Sequence, residues 1–107
     1  MNRKDYLRNQ KDLALYQQIT SLHEKLDDAF SREYQRSLPL NEVLIDRWER
    51  AKKLGFGNES SIYDSSLVFG KPQVGSNCWI GPFTIIDGSG GLYIGNFSTI
   101  SAGVHIY

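Results

Sequence analysis

The sequence predicts an α+β chain, with a helical first half and a second half of short, regularly turning strands. Two observations predict this. Composition changes abruptly near residue 55, and the second half carries aliphatic residues at a six-residue period. Residues 1–54 hold 20 of the 24 charged side chains and no glycine. Residues 55–107 hold all 10 glycines, with only Glu59, Asp64, Lys71 and Asp87 as charges. Lys, Arg, Glu, Gln and Leu without glycine favour helix. Gly, Ser, Thr, Ile and Val with recurring turn residues favour strands and turns.

The first half reads as a helical pair. Tyr16, Ile19, Leu22, Leu26 and Phe30 step by three or four residues and share one stripe of a 3.6-residue helix. The pattern weakens near Arg36, and Pro39 sits beside the break. Asn41 can cap a second helix, on which Leu44, Trp48 and Ala51 share a face. Arg50, Lys52 and Lys53 crowd its last turn, where positive charge suits the dipole. Gly55 then suits the left-handed residue past the end. Side chains at helical spacing are packing residues first. Tyr16, His23 and Trp48 could instead build an acceptor site, but His23 at the stripe edge reads as structural.

In the second half, Ile62, Val68, Val74, Ile80 and Ile86 are spaced by six. After one gap of eight, Ile94, Ile100 and Ile106 resume the period. The slip falls in Asp87-Gly88-Ser89-Gly90-Gly91, where an insertion is easily tolerated. Two residues before these aliphatics stand Ser60, Ser66, Pro72, Cys78, Thr84, Leu92, Ser98 and Val104, six of them small. Strand positions two apart face the same way, so both lanes point into a narrow interior. Glycine follows several aliphatics (Gly75, Gly81, Gly95) and accepts the angles of a turn. Three six-residue sides bring the chain back every 18 residues, or 20 across the slip. Ile80 then stacks over Ile62, Ile86 over Val68, Ile94 over Val74, Ile100 over Ile80 and Ile106 over Ile86. Successive strands would lie about 4.8 Å apart, and each fully buried aliphatic contributes roughly 1.5–3 kcal/mol. An antiparallel meander, with turns every 8–12 residues, fits this register poorly.

Ile80-Gly81-Pro82-Phe83-Thr84-Ile85, Ile94-Gly95-Asn96-Phe97-Ser98-Thr99 and Val74-Gly75-Ser76-Asn77-Cys78-Trp79 resemble the motif of the hexapeptide-repeat acyltransferases. The segment from Asp46-Arg47-Trp48-Glu49 to Gly55-Phe56-Gly57 also looks like the helical entry of such bacterial enzymes, those acting on sugars of surface polysaccharides above all. The resemblance covers residues 60–107, and its implications are the following. The fold would be a helical pair followed by a left-handed parallel β-helix of about two and a half coils. Residues 1–55 would form the helical cap, and residues 56–107 a β-helix truncated at Tyr107. The activity would be transfer of an acyl group from acetyl-CoA or another acyl-CoA to an oxygen or nitrogen of a sugar or sugar precursor. The protein would be a homotrimer and would need no metal. A histidine would act as general base, which suits an imidazole near neutral pH. His105 is the one histidine of the repeat, and it should point outward, one place before Ile106. In the look-alikes the base follows a segment like Gly103–Tyr107 by a few residues, so the usual base would lie beyond Tyr107. A surface histidine is the plainer reading of His105.

Other function classes fit less well. The 12 basic and 12 acidic residues give no net charge, which argues against a nucleic-acid partner and a polybasic membrane segment. No apolar run reaches the ~20 residues of a membrane span, and the polar N-terminal residues lack a secretory core. A cytoplasmic location follows as the expectation. Cys78, the lone cysteine, cannot form an internal disulfide. Its place in the small lane makes it a small buried hydrophobe. Two histidines cannot supply the three-histidine zinc site of hydratases that resemble carbonic anhydrase. Gly88–Gly91 has no following lysine of a phosphate loop and reads as a turn. Tyr63, Phe69, Trp79, Phe83, Tyr93 and Phe97 fall on outward positions, which suggests cover by helices and neighbouring subunits. A non-catalytic trimerising or capping module, or an inactive remnant of such an enzyme, is the alternative.

Overall fold

The structure, a computed structural model, describes residues 3–107. It divides into two compact units, one ending at Leu44 and one spanning Ile45–Tyr107.

The first unit holds a 3-10 turn, Arg3–Tyr6, and two helices, α1 (Gln10–Tyr34) and α2 (Leu40–Leu44). Asn9 caps α1 by accepting the Lys11 N–H on its side chain at 2.8 Å. The helix stops where Gln35 turns left-handed and the Arg36 N–H reaches back to the Phe30 carbonyl. The chain then returns along α1. His23 Nε2 bonds the Leu38 carbonyl at 3.1 Å, and Ser37 Oγ donates to Asp27 at 3.0 Å. These polar contacts pull the covered face of α1 onto Leu13, Tyr16, Thr20, His23, Asp27 and Phe30, all half-buried. Of the predicted stripe, Tyr16, Leu26 and Phe30 are half-buried, while Ile19 and Leu22 stay exposed.

The second unit opens with a separate helix, α3 (Arg47–Lys53). Asp46 caps it, accepting the N–H groups of Trp48 at 2.8 Å and Glu49 at 3.0 Å. Eight short strands follow: β1 (Ser61–Ile62), β2 (Leu67–Gly70), β3 (Gln73–Val74), β4 (Trp79–Ile80), β5 (Ile85–Gly88), β6 (Tyr93–Ile94), β7 (Thr99–Ile100) and β8 (His105–Ile106). They pair in parallel as β1-β4-β7, β2-β5-β8 and β3-β6.

The expected architecture, a helical pair leading into a left-handed parallel β-helix of two and a half coils, is therefore corrected. Three α-helices replace the pair, because Asp46 ends the second helical stretch and starts a third. The strands lie in three separate sheets rather than one continuous β-helix. Strands of two to four residues end at a turn before any ladder can pass to the next sheet.

The residue pairing itself follows the six-residue period. Ile62 pairs with Ile80 and Val68 with Ile86, 18 residues on. Val74 pairs with Ile94, Ile80 with Ile100 and Ile86 with Ile106, 20 residues on. Ile62, Val74, Ile80, Ile86 and Ile94 are buried, and Val68, Ile100 and Ile106 pack against them. Stacking in parallel register keeps every aliphatic on the inner side, since a slip of one residue would turn it outward.

The small residues of the second lane satisfy backbone carbonyls inside the same core. Ser60 Oγ donates to the Gly75 carbonyl at 2.7 Å and accepts the Cys78 N–H at 3.0 Å. Thr84 Oγ1 donates to Ser66 Oγ at 2.8 Å, and Ser66 Oγ donates onward to the Gly81 carbonyl at 2.8 Å. The Cys78 thiol and the Ser98 hydroxyl both reach the Gly95 carbonyl, at 3.1 and 2.7 Å. A buried carbonyl left without a donor costs about 1–3 kcal/mol, so these five positions need residues that are both small and hydrogen-bonding. Helix α3 closes the core beside β1 with buried Ala51. Arg50 donates to the carbonyls of Tyr63 and Ser66, the latter at 2.8 Å.

The glycines after the aliphatics differ from expectation in what they do. None of Gly75, Gly81 and Gly95 has a positive φ. In this unit the non-glycine residues Glu59, Asn77, Phe83 and Phe97 take the left-handed angle, with φ between 58° and 61°, and Gly55, Gly70, Gly91 and Gly103 also have positive φ. Gly75 supplies space instead: a Cβ there would lie 2.8 Å from the Asn96 backbone nitrogen and would strike the Asn96 side-chain oxygen, which accepts the Ser76 N–H. At Gly95 the nearest atom to such a Cβ is 3.9 Å away.

Two stability predictions follow from this geometry. Gly75→Ala should lower unfolding free energy by about 1–3 kcal/mol, the usual cost of overpacking. Gly95→Ala should stay within about 0.5 kcal/mol, as expected at an uncrowded site. Equal losses in denaturant melts would contradict the crowding argument. Phe97, exposed at 77 %, holds φ 61°. Left-handed backbone costs an L-residue roughly 1–2 kcal/mol, and glycine's extra chain entropy offsets roughly 0.5–1 of that. Phe97→Gly should therefore leave stability unchanged or raise it by up to about 1.5 kcal/mol; a clear loss on thermal unfolding would mean that the ring packs.

Candidate functional site

Strand alternation puts His105 on the outer side of the sheet β2-β5-β8, because its neighbour Ile106 packs inward. His105 is exposed and pairs in register with Ile85, which pairs in turn with Leu67. Asp87 lies two residues beyond Ile85 and therefore shares its face. The Tyr107 ring stands edge-on to the imidazole, with centroids 6.1 Å apart at 88°. The outer face thus brings an imidazole and a phenol together, with a carboxylate on the next strand and apolar Leu67 and Phe69, both exposed, below it.

Asp87 is tied to the turn that absorbs the two-residue slip. Ser89 donates its backbone N–H to Asp87 Oδ1 at 2.9 Å, and its hydroxyl also bonds the carboxylate. These donors favour the charged form and hold the Asp87 carboxyl below its ordinary 3.8. The Gly91 N–H closes the turn on the Gly88 carbonyl at 3.0 Å. Both arrangements engage amides of this segment, those of Ser89 and Gly91, within the turn itself.

A second feature is a recess of about 300 Å³ between α3 and the turn before β1. Trp48, Asp46, Glu49, Lys52, Asn58 and Glu59 surround it. That volume is at the lower end for small-molecule sites. The Arg47 guanidinium lies 5.0 Å from the Trp48 ring centre and 4.5 Å from that of Tyr63. Tyr63 in turn meets Trp79 edge-on at 5.7 Å. This stack buries Tyr63 within its own unit. Of the six aromatics expected to be covered, Phe69, Phe83, Tyr93 and Phe97 remain exposed and Trp79 is half-buried.

Of the three side chains weighed as an acceptor site, Tyr16 and His23 belong to α1, where His23 holds the return segment, and Trp48 belongs to the second unit. Sequence reasoning missed the recess, since its residues come from 46–52 and 56–60 and meet through the packing of α3 on β1. The one available signal was the Asp46-x-x-Glu49 spacing of a helix start. Cys78 is buried and its thiol is hydrogen-bonded, as a structural cysteine would be. Among the described residues, no three His, Cys, Asp or Glu side chains come together as a metal-holding group. No helix among them is long and apolar enough to cross a membrane. Comparison with models of protein families and with curated proteins gave no match.

The Asp87 turn has a pH signature. A carboxyl held below its ordinary value adds stability above 3.8, and that contribution is lost as pH falls through the folded-state value. The melting temperature of Asp87→Asn should therefore differ from that of the parent at neutral pH and converge with it well below pH 3.8. A constant difference down to the lowest pH would show that Ser89 does not select the charged form.

Proposed function

We propose that this chain belongs to an acyltransferase of the hexapeptide-repeat class, which moves an acetyl or other acyl group from coenzyme A to a sugar or sugar precursor. The observation that carries the reading is the six-residue aliphatic period with its small second lane, since it is the feature that the chain shares with that class. The exposure of His105 beside Tyr107 supports it. In this reading a histidine, for which His105 is the one candidate on the repeat of this chain, takes the proton of the acceptor hydroxyl or amine as its oxygen or nitrogen attacks the thioester carbon. The tetrahedral intermediate then expels the coenzyme A thiolate, which recovers the proton from the imidazolium. Such a base contributes typically 10²–10⁴-fold. The protein would act as a homotrimer in the cytoplasm.

A second reading is favoured by the exposed aromatics Phe69, Phe83, Tyr93 and Phe97. It makes the chain a trimerising or capping module, or a remnant without activity. Buried aromatic clusters are frequent at the centres of interfaces.

One assay separates the two readings. Purified protein is mixed with acetyl-CoA and a panel of free and nucleotide-linked sugars, and released thiol is followed. The acyltransferase reading predicts sugar-dependent release, lowered about 100-fold or more in His105→Ala. No release, together with a trimer by sedimentation, would favour the assembly module. Release that is unchanged in His105→Ala would remove His105 from the chemistry.

A further inference from the structure

We draw no further inference here: the strongest candidate, the recess between α3 and the turn before β1, is an acidic cluster beside Trp48 at the start of a seven-residue helix, and nothing else in the structure points to a ligand there.

Discussion

Parallel stacking of one inward aliphatic on the next is the interaction on which the second unit depends. Ile62, Ile80 and Ile100 form one such column, and Val68, Ile86 and Ile106 another. The strands are too short for any sheet to be stable by its own ladder. Each contributes a few backbone hydrogen bonds, and a hydrogen bond adds only about 0.5–1.5 kcal/mol net. Burial of the aliphatics, at about 25 cal/mol per Å², is what makes the three small sheets one body. The end of the stack at β1 is sealed by a helix that gives the core an alanine and brings an arginine to two backbone carbonyls.

That narrow interior imposes a second demand. Turning every six residues buries carbonyls that no strand partner reaches, so donors must come from side chains short enough to fit. Ser60, Ser66, Thr84, Ser98 and the thiol of Cys78 meet that need at Gly75, Gly81 and Gly95. The demand explains why five of the eight lane positions carry a short hydroxyl or thiol. It also explains why a cysteine can sit there as one donor among hydroxyls.

The period made the pairing partners legible, because a fixed repeat leaves one way to superpose like residues. It did not reveal what happens between strands. Glycine after an aliphatic suggests a conformational need, whereas Gly75 gives way to the Asn96 side chain and Phe97 takes the left-handed angle. Periodicity describes which residues face inward but not which backbone angles or close approaches join them. In the first half, the stripe through Ile19 and Leu22 misjudged the buried face. The return segment is anchored there by polar contacts at His23 and Asp27, which a hydrophobic pattern does not register. The face shared by Leu44, Trp48 and Ala51 reads as one helix, whereas the Asp46 side chain starts a new one between Leu44 and Trp48. The placement of His105 follows from strand alternation, as does that of Tyr107 two residues on, whereas Asp87 joins their face through the pairing of β5 with β8.

The most direct test compares equilibrium unfolding of Ile80→Ala and Ile19→Ala. Ile80 is fully buried between two paired isoleucines, whereas Ile19 is exposed on α1. The account predicts a loss of about 2–5 kcal/mol for Ile80→Ala, as for large-to-small changes in a core. It predicts no loss beyond about 0.5 kcal/mol for Ile19→Ala, as for surface positions. Equal effects, or a larger one at Ile19, would contradict the claim that the stacked aliphatics hold the fold.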